Sequence, residues 1–144
     1  MKDNLHIDQQ LCFPIYVFAK QIINMYRPFL EAIDLTYSQY LVMMVLWETK
    51  EQTVNQLGEK LKLDSGTLTP LLKRMEQKEF ITRTRSTKDE RVVNIAITDK
   101  GEAIKVKAKC IPEQLMEAMQ VSEEDLLSLK KIITKIVHTK ESKQ

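Results

Sequence analysis

Glycine and proline are scarce in this chain, with only three glycines and four prolines among 144 residues. An all-β protein needs such residues in its many turns, so their scarcity favours helices. The composition, 43% hydrophobic and 29% charged, supplies both an apolar core and an ordinary charged surface. Because the length is typical of one compact domain, we expect residues 1–144 to form a single domain.

Long hydrophobic segments are missing as well. The longest apolar run, Tyr40 to Trp47, is far shorter than the ~20 residues of a membrane helix. The first ten residues, MKDNLHIDQQ, contain no apolar core of a signal peptide. The sequence therefore predicts a cytoplasmic protein with no membrane partner.

Cysteine and histidine are few and scattered, at Cys12, Cys110, His6 and His138. This spacing matches no zinc motif, and we expect neither a metal site nor a cofactor. A reducing cytoplasm keeps both thiols free unless an oxidant reaches them. Since free cysteines are often inert small hydrophobes, the residues alone leave open whether Cys12 packs or reacts.

Basic residues are concentrated in one segment, although the net charge of the whole chain is only +2. Between Lys73 and Arg91 there are seven basic and four acidic residues, a local charge of +3 (7 − 4). Such a segment is either a solvated basic face or a contact surface for a polyanion.

The first half of the chain has helical periodicity. Apolar residues recur at three- and four-residue steps from about Leu11 to Ile33, and Pro28 predicts a break or kink near Arg27. A buried helix is expected after Thr36.

A pair of helices is predicted next. Thr53 to Gln56 has the form of a capping box and opens a short helix that ends near Leu63. Pro70 belongs in a first turn, which places the cap of the following helix at Ser65 or Thr67. On this second helix the polar face carries Ser65, Thr67, Thr69, Lys73 and Arg74.

Period-two alternation then replaces the helical pattern. Phe80–Arg85 and Arg91–Thr98 alternate on either side of a polar loop, which predicts a hairpin. Beyond it we expect a helix from about Glu102 to Met119, interrupted at Pro112, and another that is capped by Ser122.

This order of elements is that of a winged helix-turn-helix, so the fold class is mainly α (α+β). A short helix followed by a helix that opens with hydroxyl residues suits the major groove of DNA. The basic hairpin suits the adjacent backbone or minor groove. The concentrated charge falls on these two elements, which favours binding of a nucleic acid.

Several segments resemble the MarR family of bacterial transcriptional regulators, and within it the branch of the organic-hydroperoxide sensor OhrR. The segments are LDSGTLTPLLKRME (63–76), TRSTKDERVV (84–93), ITDKG (97–101), LTYSQYLVMMVLWE (35–48) and QLCF (10–13). The resemblance covers residues 10–101 closely and the last two helices loosely.

The resemblance implies a homodimer that binds an inverted repeat of double-stranded DNA. Residues 34–100 would form the DNA-binding core, while residues 5–33 and 101–140 would form an intertwined dimerisation region. In the family the wing-tip arginine, here Arg91, enters the minor groove and is held by Asp89. The DNA-binding residues implied are Ser65, Thr67, Thr69, Lys73, Arg74, Arg83, Arg85, Asp89 and Arg91.

The resemblance also assigns a role to Cys12, which matches the peroxide-sensing cysteine of the family. Tyr26 and Tyr37 match two tyrosines that donate hydrogen bonds to its thiolate. Organic hydroperoxide would oxidise Cys12, and a thiol would then trap the product as a disulfide. Either Cys110 of the other subunit or a small cellular thiol is the expected trap.

The function expected is therefore a repressor that leaves its operator after Cys12 is oxidised, and not an enzyme. Three alternatives stay open at this point. They are a MarR-type repressor that responds to a ligand and has an inert cysteine, a thiol peroxidase that uses Cys12, and a dimerisation adaptor.

Overall fold

The computed structural model describes residues 5–142, in two compact units. The first ends at Ile111 and the second begins at Pro112. A 3-10 turn at Ile7–Gln9 comes first in the chain. The helices and strands that follow it are α1 Phe13–Glu31, α2 Tyr37–Thr49, β1 Glu51–Thr53, α3 Val54–Leu61, α4 Ser65–Gln77, β2 Ile81–Arg85, β3 Val93–Ile97, α5 Asp99–Ala103, α6 Lys105–Ala108, α7 Ile111–Met119 and α8 Glu123–Glu141. The mainly helical winged helix-turn-helix predicted above is confirmed.

Helix α2 lies at the centre of the first unit. Thr36 and Gln39 close a capping box at its start, in which each side chain bonds the backbone N–H of the other residue. Apolar residues occupy several sides of this helix, as is typical of a helix enclosed by its neighbours. Its buried residues are Gln39, Tyr40, Val42, Met43, Val45, Leu46 and Trp47.

Helices α3 and α4 form the helix-turn-helix. The capping box predicted at Thr53 and Gln56 is confirmed. The cap predicted for α4 at Ser65 or Thr67 is wrong, because the Asp64 carboxylate accepts the Thr67 N–H at 2.7 Å. Pro70 is therefore accommodated beyond the first turn. The predicted apolar stripe of α4 is buried and consists of Leu68, Leu71, Leu72 and Met75.

The predicted hairpin is confirmed, and a third strand joins it. β2 and β3 are antiparallel with Arg83 opposite Ile95, and β1 pairs with the other edge of β3, where Gln52 is opposite Ile95. The strand β1 has only three residues, too few to show alternation in the sequence. The wing consists of β2, β3 and the loop between them. Because β1 pairs with β3, the sheet connects the start of α3 to the wing.

We predicted a break or kink near Arg27; helix α1 is continuous from Phe13 to Glu31, so a break there is wrong, and a kink stays a prediction. Pro28 lies in the last turn, where its missing N–H removes only one helical hydrogen bond. Leu30, two residues later, is 1% exposed and anchors this turn in the core.

The C-terminal part is more divided than expected. Instead of one interrupted helix from Glu102, there are three short segments, α5 to α7. Ser122 caps α8 as predicted and accepts the Asp125 N–H at 3.1 Å. Within residues 5–142 no helix is long and apolar enough to cross a membrane.

Gly101 gives a test of the packing of α5 against Trp47 of α2 and against Phe80, the residue before β2. Its carbonyl accepts the indole N–H of Trp47 at 2.9 Å, and an added Cβ would collide with the Phe80 carbonyl oxygen. We expect Gly101→Ala to lower the free energy of unfolding by about 1–3 kcal/mol, because this collision is with backbone. Urea unfolding followed by Trp47 fluorescence measures the change.

Gly66→Ala is the matched control, since a Cβ there meets only Asp64 Oδ1 at 3.5 Å. We expect this variant to be as stable as the parent or slightly more stable, because alanine favours helix. Equal losses in both variants would contradict the proposed role of the Phe80 contact.

Candidate nucleic-acid interface and thiol site

A groove of about 260 Å³ lies between α4 and the wing. We call it the arginine groove. It is lined by Thr53, Val54, Asn55, Ser65, Thr69, Leu72, Arg83, Arg85, Arg91, Val92 and Val93. Five of the predicted DNA-binding residues, two hydroxyls and three arginines, therefore meet on one surface although they are spread over residues 65–91.

The electrostatics of the arginine groove favour an anion. Three arginines line it and none of its lining residues is acidic. Guanidinium groups stay charged at any physiological pH and match phosphate geometry. A polyanion whose phosphates are regularly spaced fits such a surface better than a small neutral ligand does.

The tip of the wing is held by a carboxylate, as expected from the sequence. Asp89 Oδ1 accepts from the backbone N–H of Arg91 at 3.1 Å and from its Nε at 3.2 Å, and Oδ2 accepts from Nη2 at 3.3 Å. These hydrogen bonds hold the pKa of Asp89 below its ordinary value. Since the Arg91 side chain is 91% exposed, its charge is oriented and still accessible.

The loop of the wing has further internal bonds. Arg85 Nη1 donates to the Glu90 carbonyl at 2.9 Å, and the Ser86 N–H donates to Val92 O at 2.8 Å. The loop thus has a defined conformation without a glycine at its turn.

The other predicted residues of α4 lie outside the lining of the arginine groove. Thr67 is at the first turn beside its cap, Lys73 is exposed, and Arg74 Nε donates to the Pro70 carbonyl at 3.2 Å. The position of these residues on the exposed face of α4 suits contact with phosphates flanking the groove. Their roles stay predictions.

Sequence reasoning missed Thr53, the cap of α3, and Asn55, its second residue, both of which line the arginine groove. The capping box of Thr53 and Gln56 was the sequence signal that could have indicated both residues. It fixes Thr53 as the cap and Asn55 as the second helical residue, which is exposed at the start of the helix.

Three tyrosines form a cluster at the junction of α1 and α2. The ring of Tyr26 lies 4.9 Å from that of Tyr37 and 5.9 Å from that of Tyr40, between ring centroids. Burial, together with Tyr37 and Tyr40, raises the pKa of Tyr26 to about 12, and burial raises the pKa of the other two phenols. All three therefore stay protonated at neutral pH and can donate hydrogen bonds.

Cys12 and Cys110 are both free and exposed in the single chain. Cys12 is the residue before α1 and its side chain makes no capping hydrogen bond. The Cys110 thiol lies 3.1 Å from the Lys107 carbonyl oxygen, to which it donates.

The structure brings Tyr26 and Tyr37 together but does not bring Cys12 to them. Within residues 5–142 of the single chain, no hydrogen bond links the Cys12 sulfur to either phenol. The reason is the length of α1. Fourteen residues (26 − 12) separate Cys12 from Tyr26 along a continuous helix, a distance of about 21 Å at about 1.5 Å per residue.

The arrangement can be compared with known proteins. The family model described as "Transcriptional regulator SarA/Rot" matches residues 24–108, more than half of the chain. The chain belongs to this family of transcriptional regulators. The sequence is 44% identical over 137 residues to the organic hydroperoxide resistance transcriptional regulator of Bacillus subtilis, covering 95% of this chain and 93% of that protein. The predicted membership of the OhrR branch of MarR-type regulators is confirmed.

Other proteins are similar to this chain over most of its length. The regulator SarZ of Staphylococcus aureus is 42% identical over 123 residues, covering 85% of this chain and 83% of SarZ. The crystal structure of AbfR of Staphylococcus epidermidis aligns with a TM-score of 0.74 and 35% identity, covering 94% of each chain. Reduced AbfR bound to DNA aligns with a TM-score of 0.75 at 33% identity, over 92% of this chain and 93% of AbfR.

The raised pKa of Tyr26 predicts a loss of stability in alkaline solution. An unfolded tyrosine ionises near pH ~10, whereas folded Tyr26 keeps its proton up to a pKa of about 12. The unfolded state therefore binds fewer protons in this window, and the free energy of unfolding falls as pH rises from ~10 to about 12. Chemical unfolding at several pH values and the absorbance of phenolate measure both effects.

Tyr26→Phe should remove the phenolate step at about 12 and reduce the alkaline loss of stability, to which Tyr37 and Tyr40 also contribute because their pKa values are raised by burial. Tyr16→Phe is the control, because Tyr16 is 60% exposed and its loss should leave that step in place. A step at about 12 that persists in Tyr26→Phe would contradict the assignment.

Proposed function

We propose that this chain is a homodimeric repressor that binds an inverted repeat of double-stranded DNA and releases it when an organic hydroperoxide oxidises Cys12. The observation that carries the proposal is the arginine groove. Recognition-helix hydroxyls and three wing-side arginines line one surface that has no acidic lining residue. Reduced and overoxidised AbfR, both similar in fold to this chain, have been solved bound to DNA.

In this proposal α4 enters the major groove and the wing tip lies over the neighbouring minor groove. Ser65, Thr67 and Thr69 meet base edges, although hydroxyls discriminate bases only weakly. Lys73, Arg74, Arg83 and Arg85 bind phosphates, so most of the affinity is electrostatic and sensitive to salt. Two copies related by a two-fold axis place their recognition helices about 34 Å apart, one turn of DNA.

A homodimer is also what the thiol site needs. Because α1 holds Cys12 about 21 Å from Tyr26 of the same chain, the phenols that reach its thiolate come from the other subunit. Helices α1 and α8 supply apolar surface for such a dimer, since Ile15 is 54%, Ile132 59% and Ile136 55% exposed in the single chain.

The proposed redox step uses the Cys12 thiolate as a nucleophile. Its sulfur attacks the outer oxygen of the hydroperoxide, the O–O bond breaks, and the products are a sulfenic acid and an alcohol once a proton is taken up. Neutral phenols of Tyr26 and Tyr37 donate to the thiolate before the step. The loss of that anionic acceptor weakens the tyrosine contacts and shifts the helices that carry them.

A thiol then attacks the sulfenic acid, forming a disulfide and water. Both expected traps stay in the proposal. Cys110 is exposed, and a disulfide form of AbfR, 34% identical to this chain, has been solved. A small cellular thiol is the alternative.

We propose that the chain is not an enzyme and consumes one hydroperoxide for each Cys12 oxidised. The relatives above are named as transcriptional regulators. A regulator of this kind meets DNA in the bacterial cytoplasm, which agrees with the location expected from the sequence. That location remains a prediction.

Removal of the wing-tip charge tests the DNA interface. For Arg91→Ala we expect weaker binding of the duplex, with a slope of log affinity against log salt that falls by about 2 per dimer, since each lost cationic contact with the DNA contributes about 0.9. Fluorescence anisotropy with an inverted-repeat duplex selected in vitro by the protein measures it. Lys60→Ala, an exposed charge on α3 away from the groove, should leave the slope unchanged. Equal slopes for both variants would exclude Arg91 from the interface.

Cysteine variants test the redox step. We expect cumene hydroperoxide to release wild-type protein from the duplex and to leave Cys12→Ser bound, because serine forms no thiolate at neutral pH. If Cys110 is the trap, Cys110→Ser should lack the intersubunit disulfide on non-reducing electrophoresis. Release of Cys12→Ser by peroxide would instead favour the ligand-responsive alternative, and continuous turnover of peroxide with a thiol reductant would favour a peroxidase.

A further inference from the structure

The recognition helix α4 ends at Lys78, whose side chain contacts the turn between α1 and α2. Lys78 is the C-cap of α4, and its backbone N–H donates to the Arg74 carbonyl at 3.1 Å. Glu79 follows with a φ of 63°, so the chain turns here before β2 begins at Ile81. The Lys78 side chain therefore starts from the residue that fixes the end of α4.

The ammonium of Lys78 has three oxygen acceptors in the turn between α1 and α2. Nζ donates to the Asp34 carbonyl at 2.7 Å and to Gln39 Oε1 at 3.2 Å, and it lies 3.2 Å from Asp34 Oδ1. The three protons of an ammonium match these three acceptors. Only 27% of the Lys78 side chain is exposed, so water competes less for these contacts than at an open surface.

The acceptors themselves are fixed by the turn. Gln39 is 3% exposed, and its Oε1 also accepts the Thr36 N–H at 3.2 Å in the capping box of α2. Asp34 has a φ of 56°, and its N–H donates to the Glu31 carbonyl at 3.1 Å at the end of α1. Lys78 thus fastens the end of α4 to the end of α1 and the beginning of α2.

The tyrosine cluster lies on the same two helices. Tyr37 is the first residue of α2, two positions before Gln39, and its ring lies 4.9 Å from that of Tyr26 on α1. We infer that Lys78 is a positioning residue that transmits the state of the tyrosine cluster to the recognition helix. The inference deepens the proposed function, and it rests on that function for the identity of the signal.

Coupling of this kind is reciprocal. If the cluster changes the affinity of α4 for DNA through Lys78, then binding of DNA changes the order of the α1–α2 turn through the same contact. The first effect needs peroxide and the second does not. Two independent measurements therefore address Lys78.

The first measurement compares the dissociation constants of the labelled inverted-repeat duplex before and after cumene hydroperoxide. For Lys78→Met, which keeps the length of the side chain and removes the ammonium, we expect the oxidised-to-reduced ratio to fall by about fivefold or more. Lys60→Met is the matched control and should keep the wild-type ratio, as should Lys78→Arg, which retains donors and charge. A wild-type ratio in Lys78→Met would overturn the inference.

The second measurement is hydrogen–deuterium exchange of residues 31–39, with and without saturating duplex. We expect the duplex to slow exchange there in wild type, Lys60→Met and Lys78→Arg, and to have no effect in Lys78→Met. Equal protection in Lys78→Met and wild type would overturn the inference. If peroxide fails to release wild type, the proposed function fails, while this measurement still decides the role of Lys78.

Discussion

The length of one uninterrupted helix sets how far Cys12 lies from the tyrosine cluster of its own chain. Because α1 runs from Phe13 to Glu31, Cys12 at its start and Tyr26 near its end are about 21 Å apart in the same chain. Burial raises the pKa of the phenols, so they stay neutral donors. In the proposed function their acceptor is the Cys12 thiolate of the other subunit. That proposal couples the chemistry of one sulfur to the geometry of the dimer, and therefore to binding at two half-sites of DNA.

The arginine groove and the wing follow a different principle, in which charges are held in place before any ligand arrives. Asp89 orients Arg91 through three hydrogen bonds, and the loop of the wing is closed by Arg85 and Ser86. An exposed arginine usually loses side-chain entropy on binding, and a part of that loss has already occurred here. At the other end of α4, Lys78 bonds Asp34 and Gln39 in the turn between α1 and α2, next to the tyrosine cluster.

Local rules predicted much of the fold because they depend on neighbours in sequence. The capping box at Thr53 and Gln56, the cap at Ser122 and the stripe from Leu68 to Met75 need only spacing to be recognised. The errors arose where tertiary packing outweighs local preference. Pro28 was expected to break or kink α1, but the helix continues through it and the buried Leu30 anchors the last turn. The strand β1 was not predicted, because three residues are too few to show an alternating pattern. They form a strand only because they pair with β3.

The sequence by itself determined the family, the winged helix-turn-helix and the identity of most candidate site residues, because motifs and periodicity are properties of residue order. Only the tertiary structure decided which of those residues meet. It gathered hydroxyls and arginines from positions 65 to 91 around one groove and added Asn55. The physical reason is that contacts between residues distant in sequence depend on how helices and strands pack, and no local spacing encodes that packing.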